Sequence, residues 1–230
     1  MSAFVLKLIA VFSMTCDHFS YLIFGNFSFL NYIGRIAFPI FAYQITEGYT
    51  HTRNLKKYFL RLFIFALISQ VPFMLFYSII SPSFHLNIFF TLLLGLCSIT
   101  IYDTLDKRVC AHKHIHLLYK LLGIICVAIL AFLATITKCD YQYFGVISIF
   151  IFFLFRNNKF LMNLSFIALV FIYYGKYILY TRYLLIIIFT ISPLIFINLY
   201  NYKKGKDTKY FLYLFYPLHL LIIYALYLIF

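Results

Sequence analysis

An all-α, polytopic bundle of transmembrane helices is the fold class this sequence predicts, and three observations carry that expectation. Of its 230 residues, 65% are hydrophobic, more than a soluble domain of this size can hide, so the excess must face lipid. The apolar residues fall in runs close to the length that crosses the hydrocarbon core. The basic residues collect in short clusters between those runs, as topology-setting loops do. No part of the chain reads as a separate soluble domain, so residues 1–230 form a single membrane domain.

The runs lie at about 4–24, 33–50, 59–80, 86–102, 117–136, 143–156, 160–174, 178–199 and 210–229. They make nine expected spans, within a range of eight to ten. Those at 33–50, 143–156 and 160–174 are short, and the last two also fit a broken or re-entrant pair. Placing successive loops on alternate sides puts fifteen Lys and Arg on one side, from Lys7 through Arg53–Arg61, Lys107–Lys120, Arg156 and Lys159 to Lys203–Lys209. The other side holds four: Arg35, Lys138, Lys176 and Arg182. This bias predicts a cytoplasmic N-terminus and an external C-terminus. The first run contains Asp17 and His18 and lacks a small-x-small cleavage site, so it is expected to be retained.

The net charge of +13 is spent on loop clusters rather than on one solvated face, which argues against nucleic acid as a partner. Cysteines at 16, 97, 110, 126 and 139 form no CxxC and read as small buried hydrophobes, with no metal site expected. His112, His114 and His116 alternate in a loop that reads as solvated. The 22 Tyr and 30 Phe read as lipid-facing and interfacial residues.

Polar side chains inside the runs are the informative exceptions. A carboxylate at the centre of a spanning helix costs about 2.5–3.5 kcal/mol on insertion scales, so Asp17 beside His18 marks a functional site with proton chemistry. With the expected topology, Asp17, His18, Arg35, His85, Asn87 and Asp140 share the outer leaflet although they come from five segments. Glu47 lies near the cytoplasmic end of the second run, where it can shape the site or pair with Arg53. His219 follows Tyr216-Pro217 halfway along the last run and fits either a satisfied core histidine or a site-shaping group. Arg35 can also snorkel, and Asn87 can stitch helices. Arg53, Lys56, Lys57 and Arg61 form a cationic mouth on the cytoplasmic side.

At these positions the chain resembles the TraX family of integral membrane proteins. The matching blocks are Leu6–Ala10 (LKLIA) leading to Asp17-His18, GRIAFPIFAYQITEGYTHTRN from Gly34 to Asn54, and Lys57-Tyr58 through Arg61. SQVPF from Ser69, NIFFTLLLG from Asn87 and YFLYLFYPLHLLII from Tyr210 complete the series in order along nearly the whole chain. Where relatives often read Asp-Tyr-Gly-x-Tyr-Gly, this chain has Asp140-Tyr141-Gln142-Tyr143-Phe144-Gly145. Gln142 therefore replaces a flexible turn residue.

The resemblance implies a membrane acyltransferase, since the family's best-known member acetylates the N-terminus of a conjugative pilin. It implies acetyl-CoA as cytoplasmic donor, an exported peptide or glycan as acceptor, and the bacterial inner membrane as location. In that scheme His18 is the base, and Asp17 or Asp140 assists. Arg35 or Asn87 stabilises the developing oxyanion. Arg53, Lys56, Lys57 and Arg61 bind the CoA phosphates, while Glu47, Tyr216 and His219 shape the site. Two other classes remain open at this point. A proton-coupled transporter also places Asp, Glu and His within helices, and a non-catalytic assembly factor for a surface appendage needs no chemistry at all.

Overall fold

A computed structural model of the chain describes residues 1–24, 28–81, 83–109, 116–206 and 209–229. His112, His114 and Cys110 lie outside the described residues. The described residues are mostly helical, as an apolar solvent requires, because a helix satisfies all its backbone hydrogen bonds within one segment. The helices are α1 (Ala3–Ile23), α2 (Phe29–Gly34), α3 (Ala37–His51), α4 (Leu55–Ser78), α5 (Ile88–Val109) and α6 (His116–Ile136). They continue as α7 (Gln142–Leu154), α8 (Lys159–Tyr174), α9 (Thr181–Ile191), α10 (Pro193–Asn198) and α11 (Lys209–Ile229). Among the described residues, seven segments are long and apolar enough to cross a membrane: Ala3–Leu22, Leu55–Ser78, Ile88–Lys107, Leu117–Ile136, Lys159–Tyr177, Thr181–Asn198 and Tyr210–Ile229.

Each of the nine expected runs is helical, but two of them are too short to count among the seven candidate spans. The 33–50 run is broken at Arg35-Ile36 into α2 and the 15-residue α3. The second short pass is the 13-residue α7, about 20 Å long at 1.5 Å per residue. Both can be short because they sit inside the bundle. Phe144, Val146, Ile149 and Phe152 of α7 are fully buried, as are Ile40 and Ala42 of α3. The 143–174 stretch is thus a buried helix and an outer helix, joined by a turn in which Asn158 caps Leu161 N–H at 3.1 Å. Pro193 divides the eighth pass into α9 and α10, as its missing donor requires.

Burial also corrects the reading of the aromatics. Phe12, Phe160 and Tyr210 are exposed on the outer surface, but Phe38, Phe144, Phe152 and Phe166 form the centre of the core. α7 packs among α3, α5, α6 and α8, while α1 lies against α2, α3 and α11, and α4 against α5 and α11. Close approach of α5 to α7 depends on Gly95, where a Cβ would meet Ile149 Cγ1 at 3.2 Å.

Hydrogen bonds to backbone carbonyls tie each end together. At one end Ala3 N–H donates to Lys203 O at 2.8 Å, Asn201 N–H to Met1 O at 2.9 Å, and the Lys159 ammonium to Asn198 O at 3.0 Å. Four of the fifteen residues assigned to the cationic side, Lys7, Arg61, Lys159 and Lys204, therefore gather at one end. At the other end the turn after α6 pairs with the start of α5, through Leu86 N–H to Lys138 O at 3.1 Å and Asp140 N–H to Leu86 O at 2.9 Å.

That turn contains three residues in left-handed conformation, Lys138 (φ 51°), Tyr141 (φ 61°) and Gln142 (φ 45°). A side chain there costs about 1–2 kcal/mol that glycine avoids, which explains why the related pattern carries Gly at the position of Gln142. Gln142→Gly is expected to stabilise the protein by about 0.5–1 kcal/mol after the greater chain entropy of glycine is subtracted. Thermal unfolding of the detergent-solubilised protein measures it, and a lower midpoint contradicts this account.

Candidate functional site

Adjacent residues on an α-helix project about 100° apart, and α1 uses this to send its two polar groups to different neighbours. Asp17 faces the α2–α3 junction. Asn31 Nδ2 donates to Asp17 Oδ1 at 3.2 Å, and Arg35 Nη2 lies 3.9 Å from the same oxygen. α2 approaches this closely because position 34 has no side chain; a Cβ there would sit 2.6 Å from Asp17 Cγ. The buried Ser20 hydroxyl donates to Asn31 Oδ1 at 3.0 Å and bonds to Ser28, which fixes α2 on α1.

His18 faces α4 and α11 instead. Its ring packs on Phe76 with centroids 4.9 Å apart and meets the ring of His219 edge to edge, with centroids 5.0 Å apart and planes 16° apart. His18 Nδ1 is 2.7 Å from His219 Nε2, and His219 Nδ1 is 2.9 Å from the Phe215 carbonyl. Asp17 therefore does not orient His18; the partner of the imidazole is a second imidazole from the last helix.

These groups meet in an outer pocket of about 130 Å³ lined by Asp17, His18, Tyr21, Arg35, Asp140 and Tyr141. Asp140 comes from the turn between α6 and α7, outside the spanning segments. Its carbonyl accepts from Thr91 Oγ1, and burial pushes its carboxyl up to about 7, with Arg35 opposing the rise and Asp17 reinforcing it. A larger inner chamber of about 580 Å³ lies toward the cationic end and is lined by Lys7, Gln44, Glu47, His51, Arg61 and Lys204, among others. Met14, Phe41, Ile88 and Tyr216 line both cavities. The two spaces therefore abut across one largely apolar wall.

The expected site residues sort against this geometry as follows. Asp17, His18, Arg35 and Asp140 share the outer pocket, Tyr216 stands in the common wall, and the ring of His219 lies 5.6 Å from that of Tyr216. Asn87 does not belong to the pocket. Its Nδ2 donates to Ala66 O at 2.7 Å and to Gln70 Oε1 at 2.9 Å, and its Oδ1 accepts from Phe89 N–H at 3.0 Å. It caps α5 and stitches it to α4, so it has no donor left for an oxyanion. His85, near the same end, bonds to Ser83 and packs on Tyr77.

Glu47 lines the inner chamber and lies 3.7 Å from His51, rather than pairing with Arg53. Arg53, Lys56 and Lys57 are exposed and stand outside the chamber; of the four expected cations Arg61 alone lines it. Lys7 and Lys204 join it there, brought in by the pairing of the N-terminal segment with residues 199–204. Sequence reasoning missed Tyr21 and Tyr141. Their signals are positional: Tyr21 follows His18 by three residues, on the same helix face, and Tyr141 follows Asp140 directly.

The fold and the pocket define a polytopic helical membrane protein with ionisable side chains gathered in a small space between its helices. The chain belongs to the TraX protein family, whose family model matches residues 2–227. It is also similar to a protein named "Probable fimbrial assembly protein FimC, serogroup H1" from Dichelobacter nodosus, with 38% identity over 73 residues. That match spans 30% of this chain and 30% of its relative. No solved structure matches.

The Asp140 shift fixes the sign of a pH effect. An unfolded aspartate titrates near 4, so between about pH 4 and 7 the folded state binds more protons at this residue than the unfolded chain. Its stabilising contribution is full below about pH 4 and is lost as pH rises through about 7. Asp140→Asn is expected to flatten that fall. Thermal midpoints of both proteins across pH 4–8 test it, and parallel curves refute it.

Proposed function

We propose that this protein is an integral membrane acetyltransferase of the bacterial inner membrane. It moves an acetyl group from cytoplasmic acetyl-CoA to an amine or hydroxyl of an exported acceptor. The observation that carries this reading is the pair of abutting cavities: cations line the inner one, and a histidine with acidic neighbours lines the outer one. An anionic thioester donor fits the first, and proton removal from an acceptor fits the second. The inner volume lies within the range of about 300–1,000 Å³ common for small-molecule sites, whereas the outer pocket has room for a small acyl group.

The chemistry follows from these positions. His18 removes the proton of the acceptor N–H or O–H as the acceptor atom attacks the thioester carbonyl. Negative charge develops on the carbonyl oxygen, and Arg35 is the cation in the pocket that can stabilise it. The C–S bond then breaks, the new amide or ester leaves with the acetyl group, and the proton held by His18 neutralises the thiolate. Arg61, Lys7 and Lys204 replace the expected Arg53, Lys56 and Lys57 as the groups placed to meet the donor's phosphates. The family and the fimbrial assembly relative favour a surface-appendage subunit as acceptor, and an envelope glycan fits the same pocket chemistry.

His18→Ala is expected to reduce acetyl transfer at least a hundredfold in membranes supplied with labelled acetyl-CoA, while the protein still inserts. Undiminished turnover removes His18 from the reaction. Wild-type membranes that assemble appendages without any acetyl transfer favour a non-catalytic assembly factor, and solute flux driven by a pH gradient without acetyl-CoA favours a transporter. Mass spectrometry of envelope proteins and polymers, with and without the protein, identifies the acceptor by its lost acetyl mass.

Arg61→Ala is expected to raise the KM for acetyl-CoA about tenfold with little change in kcat, the loss of one charge-assisted contact of about 1.5 kcal/mol. Lys56→Ala, at an exposed position outside the chamber, is expected to change KM less than twofold. Equal effects of the two substitutions contradict the placement of the donor.

A further inference from the structure

We infer that His219 is the positioning residue of the active imidazole, holding His18 in the tautomer that leaves Nε2 free to accept a proton. The inference rests on the acetyl-transfer reading for its role, but its first step depends on hydrogen-bond direction alone. The Phe215 carbonyl can only accept, so the His219 nitrogen 2.9 Å from it, Nδ1, carries a proton. A neutral His219 then has a lone pair on Nε2. That lone pair faces His18 Nδ1 at 2.7 Å, so His18 Nδ1 must be the donor. The proton of a neutral His18 is thereby assigned to Nδ1, and Nε2 is left as the base. Among the described residues no hydrogen bond reaches His18 Nε2, and His18 lines the outer pocket with Asp17, Arg35 and Asp140.

The alternative, a doubly protonated His219 donating to His18, puts a cation in a ring that is 5% exposed. That ring lies between Phe215, with centroids 5.0 Å apart and planes 11° apart, and Tyr216. The charged groups around the pair are Asp17, Arg35 and Asp140, together with the phenols of Tyr21, Tyr77, Tyr141 and Tyr216. Asp17 already faces Arg35 and Asn31, so neither ring has a carboxylate of its own. Without one, a lone buried cation is the costlier state. The neutral chain, carbonyl to His219 to His18, satisfies both nitrogens of His219 and Nδ1 of His18, and leaves His18 Nε2 for the reaction. When His18 takes up the acceptor's proton, its Nδ1–H keeps an aligned acceptor, which stabilises the imidazolium as it forms. A carboxylate commonly fills this position behind a catalytic histidine; here a backbone carbonyl acts through a second imidazole.

Three variants of the full chain in membranes test this. His219→Leu removes the acceptor, while the amide oxygen of His219→Gln can reach the place of Nε2. The expected result is a fall in kcat of about a hundredfold for His219→Leu, with the KM for acetyl-CoA changed less than about threefold. Recovery to within about tenfold of wild type is expected for His219→Gln. Combined with His18→Ala, His219→Leu adds no further loss, because it acts through His18. Equal losses in the Leu and Gln variants, or losses that multiply in the double variant, overturn the inference. A readout without turnover uses ¹⁵N-histidine spectra of the solubilised protein, assigned with the same variants. Wild type and His219→Gln are expected to show His18 protonated at Nδ1 and bare at Nε2. Protonation of His18 at Nε2 in the wild type overturns the assignment, whatever the activity. If wild-type membranes transfer no acetyl group, the acetyltransferase reading has failed, and the spectra alone decide the tautomer.

Discussion

Two opposite charges placed between apolar helices have to stay near each other, and the outer half of this molecule is built around that constraint. Asp17 sits beyond the middle of α1, where a lone carboxylate costs about 2.5–3.5 kcal/mol to insert. Arg35 lies 3.9 Å away, where attraction at an effective dielectric of about 20 is worth about 4 kcal/mol. The two magnitudes are comparable, so the pair makes the polar site tolerable without making it a large source of stability. Its consequence is geometric. The break of the second pass at Arg35-Ile36, the bare Cα of Gly34 and the Ser20–Ser28–Asn31 bonds all bring a cation to one oxygen of Asp17. Once that oxygen is engaged, His18 is left to find a partner elsewhere, and α11 supplies it.

Much of this was legible in the chain because the bilayer imposes simple rules. Nine apolar runs folded as helix, seven of them long and apolar enough to cross a membrane among the described residues, and three of the cations placed on one side by counting, Lys7, Arg61 and Lys204, line one chamber. Asp17, His18 and Arg35 were singled out because a polar or charged group in an apolar run needs a reason, and Asp140 because its turn shares their leaflet; all four line one pocket. What failed depended on three-dimensional packing. Hydropathy does not distinguish a core phenylalanine from one facing lipid, so the burial of α7 was invisible, and the pocket positions of Tyr21 and Tyr141 were signalled only by their spacing from His18 and Asp140. Asn87 had the right chemistry for an oxyanion donor, but its bonds to Ala66, Gln70 and Phe89 consume it locally. The cationic mouth was misjudged for a related reason. Arg53, Lys56 and Lys57 are close in sequence, yet only Arg61, a turn further into α4, lines the chamber.

The wall between the two cavities is as informative as the polar groups on either side. Met14, Phe41, Ile88 and Tyr216 come from α1, α3, α5 and α11, so four separate helices contribute to one collar. A continuous polar channel through a membrane would leak protons and ions. An apolar collar resists this, because a thin column of water confined between such side chains has few hydrogen-bond partners. A collar of this kind still admits a long uncharged arm, provided that the arm's amides find hydrogen-bond partners on either side of it. Under the acetyltransferase proposal this is the property the reaction needs. The donor's charged end stays among the cations, its thioester end reaches past the collar to His18, and the acceptor approaches from the opposite side. Only the acyl group then changes sides, and the membrane stays closed to everything smaller and more polar.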